Sequence, residues 1–290
     1  MTVTDINTTL GEYKVLIDKA LYSYFSGKNR LFDMMYYSLD NGKRIRPILV
    51  IATFKACGGS DMGVIMPIAC GLELIHTYSL IHDDLPSMDD DDFRRGKASA
   101  HKQYGEAAAI LSGDGLFAYA FELFTQGSGS PEQKTAVITH VSQAVGPGGV
   151  VYGQVLDTTD RPVPSPKMLR KIHLNKTAKF IAASVKCGAI MGSASQKQSD
   201  ALHDAGIYLG MLFQYTDDIL DITGRKERLG KTPGKDAAAG KLTAAGLYGL
   251  DGARFRAERY AQRATDGFLA CGKQFQELVQ ITDFVLKRTY

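Results

Sequence analysis

The chain has 290 residues, of which 44% are hydrophobic and 22% are charged. These proportions are ordinary for a soluble globular protein and exclude disorder over most of the length. The net charge of +3 is too weak to indicate nucleic-acid binding. The cysteines form neither a CxxC pair nor a cluster with zinc spacing, so we expect reduced, buried thiols in a cytosolic protein. They are Cys57, Cys70, Cys187 and Cys271.

The N-terminal residues lack the basic start and the apolar run of a signal peptide. Further along the chain, we expect no apolar stretch to reach the roughly 18–20 residues that a membrane-spanning helix needs. The sequence therefore predicts a cytoplasmic protein without a membrane span.

Helical periodicity dominates the chain, and we find no sustained strand-like alternation. Apolar residues at three- and four-residue spacing predict helices over about 47–55, 66–82, 106–124, 166–192, 199–223 and 251–290. Clusters of Gly and Pro separate several of these stretches, and the Gly- and Lys-rich stretch 224–240 indicates a mobile basic loop. Without a repeat or a marked shift in composition, the prediction is one all-α domain over residues 1–290.

The first of two acid clusters follows an apolar helix and has six aspartates among the eleven residues 82–92. Asp83 and Asp89 would lie on different faces of an unbroken helix. Pro86 lies between them and cannot donate a backbone hydrogen bond, so the helix is expected to end near Leu85. The chain can then turn and bring both carboxylates toward one point. A solvated face or a helix cap is the plainer alternative.

The second acid cluster places Gln214, Asp217, Asp218 and Asp221 at i, i+3, i+4 and i+7, which is one stripe of an α-helix. The preceding residues 205–213 are strongly apolar. A carboxylate stripe on a largely buried helix is costly unless cations offset it. Together the clusters suggest carboxylates that converge on hard divalent cations, and oxygen donors without a nearby Cys favour Mg²⁺. Because Mg²⁺ commonly bridges carboxylates and phosphates, a phosphate-bearing substrate is expected.

Several basic residues are placed to hold such phosphates, although each one alone is compatible with an ordinary surface charge. They are Lys43, Arg44, Arg46, Arg94, Arg95, Lys176 beside Thr177, and Lys231, Lys235 and Lys241. Neither a Walker sequence nor a GxGxxG sequence after a strand is present, which leaves nucleotide-binding folds without support.

These motifs resemble those of the trans-isoprenyl diphosphate (polyprenyl) synthases, from about Gly42 to Lys241 and more weakly to the C-terminus. Residues 83–89 are similar to the family's DDxxxxD motif, and residues 213–221 are similar to its FQxxDDxxD motif. The accessory positions follow in the family's order, and they are GKRIRP at 42–47, His76, Arg94–Gly96, Gly153 and Gln154 with Asp157, and Lys176 with Thr177. The resemblance implies the isoprenoid synthase fold, a bundle of about ten or more helices around a central substrate cavity.

The resemblance also implies a condensation of isopentenyl diphosphate with an allylic diphosphate, dimethylallyl or geranyl. A cluster of Mg²⁺ ions, three per active site, would be held by Asp83, Asp89, Asp217 and Asp221. The allylic diphosphate would contact Arg94, Lys176, Lys231 and Lys241, and isopentenyl diphosphate would contact Lys43, Arg46, His76 and Arg95. Asp84 and Asp218 complete the catalytic motifs. Thr177 and Gln214 lie where the family stabilises the carbocation, and residues 225–241 are expected to form a lid.

Product length is expected to depend on Tyr78 and Ser79, which stand about 7.5 and 6 Å before Asp83 along the helix. A bulky Tyr78 can close the tunnel for the growing tail, as in the similar bacterial farnesyl diphosphate synthases, or it can be ordinary core. We therefore favour a farnesyl product, with geranylgeranyl as the alternative. Ala178, Lys179 and Ala244 depart from the family pattern, which affects substrate preference more than reaction class.

Other readings of the motifs have less support. A non-catalytic regulatory subunit of the same fold typically loses an aspartate motif, and here both are intact. A terpene cyclase would not need Lys43, Arg46 and Arg95, and a nucleic-acid binder is opposed by the acid clusters. The family resemblance also implies a homodimer.

Overall fold

The computed structural model describes residues 6–159, 163–224 and 240–288. Within these ranges the chain is helical apart from short connections and one two-stranded hairpin, which confirms the all-α prediction. The described chain divides into two compact units, residues 1–51 with 61–134 and residues 52–60 with 135–290. We call them unit 1 and unit 2. A single domain over 1–290 stays a prediction.

Unit 1 contains two long apolar helices, several shorter helices and the hairpin, with α3 and α7 running across its boundary with unit 2. In chain order the elements are α1 Ile6–Phe25, α2 Arg30–Leu39, α3 Ile45–Ala56, α4 Met62–Asp83, β1 Phe93–Arg94, β2 Lys97–Ala98, α5 Ala100–Tyr104, α6 Glu106–Thr125 and α7 Pro131–Val145. The hairpin is antiparallel and pairs Phe93 with Ala98 and Arg94 with Lys97.

Unit 2 is organised by the long helix α11, which packs against α10 and α12. Its elements after α7 are α8 Val150–Thr158, α9 Pro166–His173, a π-helical turn Leu174–Ala178, α10 Lys179–Met191, α11 Gln196–Thr223, α12 Ala244–Cys271, a 3₁₀ turn Lys273–Phe275 and α13 Gln276–Lys287. The helix predicted over 166–192 is therefore interrupted at its centre by a turn wider than an α-helix.

Polar side chains cap many helix starts, because the first N–H groups of a helix have no partner inside it. Asn29 accepts from the amide of Leu31 at 3.0 Å, and Asp61 accepts from that of Gly63 at 2.8 Å. Ser165, Ser195 and Thr243 cap α9, α11 and α12 in the same way.

Two helices are long and apolar enough to cross a membrane by composition alone, contrary to the expectation that no stretch would be. They are Met62–Asp83 and Glu106–Thr125, whose windows have mean hydropathies of 1.6 and 1.3 and are 67% and 44% buried within the protein. These helices pack against each other in unit 1. The apolar window of the first helix is therefore used mostly in the core, whereas less than half of the second helix's window is buried within the protein.

The core of unit 1 contains a row of aromatic rings along α4 and α6. Tyr78 meets Phe117 edge to face with centroids 4.8 Å apart, and Phe121 and Phe124 continue the row at 5.2 and 5.6 Å. Such edge-to-face pairs are favourable beyond the area they bury. Phe124 is fully buried, and its ring lies where a side chain at Gly71 would stand. The two helices can therefore approach closely at this point.

We expect Phe124→Ala to lower the free energy of unfolding by about 3–5 kcal/mol, because it removes a fully buried ring and leaves a cavity. Phe93→Ala is the matched control, since that ring is 61% exposed and surface changes stay within about 0.5 kcal/mol. Urea denaturation followed by circular dichroism measures both. Equal losses for the two variants would contradict the packing described for α4 and α6.

Candidate active site

The first acid motif forms a compact turn in unit 1 where α4 ends at Asp83. The amide of Asp89 donates to the carbonyl of Asp83 at 2.8 Å, and the amide of Asp91 donates to that of Asp84 at 3.2 Å. The chain after Pro86 thus folds back on the end of the helix. The backbone of Asp89 is thereby brought next to the backbone of Asp83, as the break at Pro86 predicts. Both residues are half-buried.

Asp84 differs from these two residues because its side chain turns inward. It is 2% exposed and accepts from Arg94 Nε at 3.0 Å and also from Arg94 Nη2. Arg94 Nη2 reaches Asp91 at 3.0 Å as well. Burial raises the pKa of Asp84 to about 6, although Arg94 opposes the shift. In this structure Asp84 therefore holds Arg94, the residue predicted to contact the allylic diphosphate.

Glu73 is an ion-pair partner that sequence reasoning missed. Its side chain is 1% exposed in α4, and its Oε1 accepts from Arg44 Nη1 at 2.8 Å and from Arg95 Nη2 at 3.4 Å. Arg44 also donates to Asp18 at 2.7 Å, and Arg95 donates to the carbonyl of Ser38 at 2.9 Å. The available signal was a carboxylate in the middle of the apolar sequence of α4, well before Asp83 at its end.

The residues predicted to hold isopentenyl diphosphate lie at different depths in unit 1. Lys43 is exposed, Arg46 is 8% exposed, and His76 is half-buried one turn after Glu73. Desolvation and the charges of Arg46, Arg95 and other arginines hold the pKa of His76 well below its ordinary value. His76 is therefore neutral at pH 7, and it is available there as a hydrogen-bond donor or acceptor.

Another group of possible metal ligands lies just beyond the first motif. Asp90, Asp92 and His101 bring one ligand atom each to within 4.8 Å of one another. Asp92 also pairs with Lys102 at 2.8 Å. This group is distinct from the predicted Asp83 and Asp89, and sequence reasoning did not select it.

In unit 2 the wide turn Leu174–Ala178 places Lys176 and Thr177. Lys176 Nζ donates to Asp157 Oδ2 at 2.5 Å, which joins the turn to α8. Gly153 in α8 lies against the backbone of Lys176, and a Cβ atom there would overlap it. Gly210 in α11 lies equally close to the backbone of Ala178. The turn is thus held between α8 and α11 at positions where only glycine fits.

A chain of hydrogen bonds links the wide turn to the second acid motif. Thr177 Oγ1 donates to Gln214 Oε1 at 2.6 Å, and Gln214 Nε2 donates to Asp218 Oδ1 at 3.0 Å. Asp218 is 4% exposed and also accepts from the amide of Ala244 at 2.6 Å, while His173 Nε2 lies 3.2 Å away. Burial favours a raised pKa for Asp218, but His173 and the other donors outweigh it and lower that pKa.

Asp217 and Asp221 lie one helical turn apart on α11. Asp217 is half-exposed and pairs with Arg288 Nη2 at 2.6 Å, whereas Asp221 is 2% exposed. Arg288 follows α13 and had no role in the sequence prediction. Arg288 lies 71 residues from Asp217 along the chain, so no local sequence pattern could indicate this ion pair.

The remaining predicted positions lie partly beyond what the structure describes. Lys231 and Lys235, with most of the predicted lid 225–241, fall outside the described residues. Lys241 is described and half-buried, just before the cap of α12. In unit 1, Ser79 donates to the carbonyl of His76 at 2.9 Å, and Tyr78 is half-buried beside Phe117.

The helical fold, the two acid motifs and the basic residues around them are those of a prenyltransferase with the isoprenoid synthase fold. A sequence model of the polyprenyl synthetase family matches residues 28–279. The chain therefore belongs to the polyprenyl synthetase family, and it is a short-chain prenyl diphosphate synthase.

Individual relatives agree with this assignment. The chain is 43% identical over 262 residues to a farnesyl diphosphate synthase of Geobacillus stearothermophilus, covering 88% of each protein. It is 44% identical over 241 residues to geranylgeranyl pyrophosphate synthase 9 of Arabidopsis thaliana, covering 81% of this chain and 67% of the relative. A crystal structure of a Helicobacter pylori geranyltransferase, complexed with magnesium and isoprenyl diphosphate, has a TM-score of 0.86 and 30% identity, covering 100% of this chain and 98% of its own.

We expect Gly153→Ala to displace the wide turn, because the added methyl group overlaps the backbone of Lys176. Overpacking of this kind costs about 1–3 kcal/mol, and the displacement should lower kcat more than it lowers the folded fraction. Gly148→Ala is the control, since the nearest atom to an added methyl group there is 3.9 Å away. Steady-state kinetics and thermal unfolding measure both variants. A Gly153→Ala enzyme with unchanged kcat would show that the approach of α8 does not position Lys176.

Proposed function

We propose that this enzyme makes farnesyl diphosphate by adding isopentenyl diphosphate to dimethylallyl and then to geranyl diphosphate. The observation that carries the proposal is Tyr78, whose ring stands on α4 before Asp83 and packs edge to face against Phe117. An aromatic ring about 7.5 Å before Asp83 along the helix axis would limit the product to a short tail. The similarity to a bacterial farnesyl diphosphate synthase supports the same product.

Each addition breaks and forms bonds in a balanced way. The allylic C–O bond breaks, and the diphosphate leaves with the electron pair. The terminal carbon of the isopentenyl double bond forms a new C–C bond to the allylic carbon. A proton is then lost from the isopentenyl part, with the departed diphosphate as the acceptor, and a new allylic double bond results. Excluding water from the cation is essential because water would capture it.

The residues at both acid motifs fit magnesium. A backbone hydrogen bond between Asp89 and Asp83 folds the first motif back on the end of α4, and Asp217 and Asp221 stand on successive turns of α11. Mg²⁺ prefers such oxygen donors and is usually held by one or two carboxylates together with substrate phosphates. When bound, Mg²⁺ withdraws negative charge from the leaving diphosphate. We infer three ions per active site from the family resemblance.

The chain's own side chains bind and orient the two substrates. Arg94 in unit 1 and Lys176 in unit 2 are each held by a carboxylate, and both are proposed to contact the allylic diphosphate. Lys241 and Lys231 are proposed to reach the same group. For isopentenyl diphosphate the proposed contacts are Lys43, Arg46, His76 and Arg95. Arg44 and Arg95 both meet the carboxylate of Glu73, and Arg44 also pairs with Asp18; guanidinium groups held in this way suit an anionic ligand.

Thr177 and Gln214 are proposed to stabilise the cation. Their side-chain oxygens lie 2.6 Å apart and form part of one hydrogen-bonded chain. Fixed dipoles of this kind stabilise developing charge without reorganisation during the reaction.

Geranylgeranyl diphosphate is the second candidate product, because several plant geranylgeranyl pyrophosphate synthases are 41–44% identical to this chain. Assembly as a homodimer and a location in the cytoplasm are further proposals, both from the family resemblance and the composition.

A non-catalytic subunit is disfavoured because both acid motifs are complete.

A product assay tests the proposed function and the role of Tyr78 together. Purified enzyme receives Mg²⁺, isopentenyl diphosphate and each of three allylic diphosphates, namely dimethylallyl, geranyl and farnesyl, and products are separated by chain length. We expect farnesyl diphosphate from the natural sequence and longer products from Tyr78→Ala, because removal of the ring opens the wall. Tyr78→Phe keeps the ring and should keep the product. Geranylgeranyl diphosphate from the natural sequence would overturn the product assignment but retain the reaction.

Replacement of Asp83 tests the proposed magnesium site. We expect Asp83→Asn to lower kcat at least about 100-fold and to raise the Mg²⁺ concentration needed for half-maximal rate, because charge stabilisation by a metal contributes several kcal/mol. Asp251→Asn is the control, since that side chain is fully exposed on α12. Asp83 is not a ligand if the variant keeps both its rate and its Mg²⁺ requirement.

A further inference from the structure

His173 is a buried histidine that lies outside the acid and basic motifs described above for the sequence. It is the last residue of α9, immediately before the wide turn that carries Lys176 and Thr177, and it is 2% exposed. Its Nε2 lies 3.2 Å from Asp218 Oδ2, and its ring meets Tyr215 edge to face with centroids 5.2 Å apart. Burial of an imidazole against a carboxylate is costly unless the pair is well oriented.

Asp218 collects donors from three separate parts of unit 2. Its Oδ1 accepts from Gln214 Nε2, and its Oδ2 faces both His173 Nε2 and the amide of Ala244 at the start of α12. With both oxygens committed, the carboxylate cannot rotate without breaking several bonds. It is therefore a fixed acceptor for the amide nitrogen of Gln214.

The orientation of Gln214 decides which way the hydroxyl of Thr177 points. Because the amide nitrogen of Gln214 is bound to Asp218, its carbonyl oxygen Oε1 must face Thr177. The hydroxyl proton of Thr177 is then donated to Oε1 at 2.6 Å. This donation leaves the lone pairs of the threonine oxygen directed away from Gln214, and lone pairs are what a carbocation attracts. A flipped amide would offer Thr177 an N–H donor and reverse this polarity.

We propose that His173 is a positioning residue for the condensation: through Asp218 it fixes the amide of Gln214, and so it directs the lone pairs of Thr177 toward the allylic cation. The inference rests on the proposed function of Thr177 and Gln214. His173 touches no substrate in this scheme. Its contribution is the N–H that holds the inner oxygen of Asp218 in place.

Three substitutions at His173 separate positioning from packing. Gln can place an amide N–H near the position of Nε2, Asn places one near Nδ1 instead, and Leu fills the space without a donor. We expect His173→Leu and His173→Asn to lower kcat about 10-fold or more, as for loss of a hydrogen bond to a charged group. The KM for isopentenyl diphosphate should stay unchanged. His173→Gln should recover kcat to within about 3-fold of the natural enzyme. A Gln variant as slow as the Leu variant overturns the proposal.

A double substitution guards against a general loss of folding. Thr177→Val removes the hydroxyl directly, so the same change should have little further effect on kcat in a His173→Leu background. Rates are expressed per folded enzyme, with the folded fraction taken from thermal unfolding. Independent, multiplying losses would show that His173 does not act through Thr177.

A measurement without turnover separates this inference from the proposed function. Selective ¹⁵N labelling of glutamine allows the side-chain amide of Gln214 to be followed by NMR, with Gln214→Glu to assign it. We expect its protons to exchange slowly with solvent in the natural protein and in His173→Gln, and faster in His173→Leu. An unchanged signal in His173→Leu overturns the positioning role even if the enzyme is active. If no condensation product forms at all, the proposed function fails, and the NMR result still decides whether His173 orients Gln214.

Discussion

The cost of removing a carboxylate from water governs how the site residues are arranged in both units. Glu73, Asp84 and Asp218 are each at most 4% exposed, and none would stay ionised at such depth without cations or N–H donors around it. Each is met by such groups, namely arginines in unit 1 and a histidine with two amides in unit 2. The side chains that meet them are thereby held in single orientations. A reactive site needs this rigidity, because misplaced charges would otherwise reorganise during each turnover.

The paired aspartates of each motif divide into an outer and an inner residue. Successive residues on a helix are rotated by about 100°, so adjacent carboxylates cannot face the same way. In the first motif Asp83 is half-buried while Asp84 binds Arg94 inside the unit. In the second, Asp217 is half-exposed while Asp218 lies among His173, Gln214 and Ala244. In each motif, therefore, one of the two adjacent aspartates is partly open to solvent, and the other is bound within the protein.

Much of the fold and the motif positions could be predicted because the signals are local. Apolar spacing placed α4, α6 and α11 within a few residues of their observed ends, and Pro86 correctly indicated the turn after Asp83. Partners that come from distant parts of the chain were not predictable in this way. Arg288 is 71 residues from Asp217, and Glu73 is 29 from Arg44. The prediction that no apolar stretch is long enough to span a membrane was wrong for α4, because its few polar residues conceal the continuity of the apolar helix.

The wide turn Leu174–Ala178 has no signature in a single sequence, and it has a consequence for how this region tolerates change. A π-helical turn is equivalent to one residue inserted into an ordinary α-helix. Loss of any one residue there would allow α9 and α10 to merge into a continuous helix. Everything beyond the lost residue would then rotate by about 100° and move by about 1.5 Å. Phe180 and Ile181, now fully packed in the core, would leave their places. The segment should therefore accept many substitutions more readily than a single deletion.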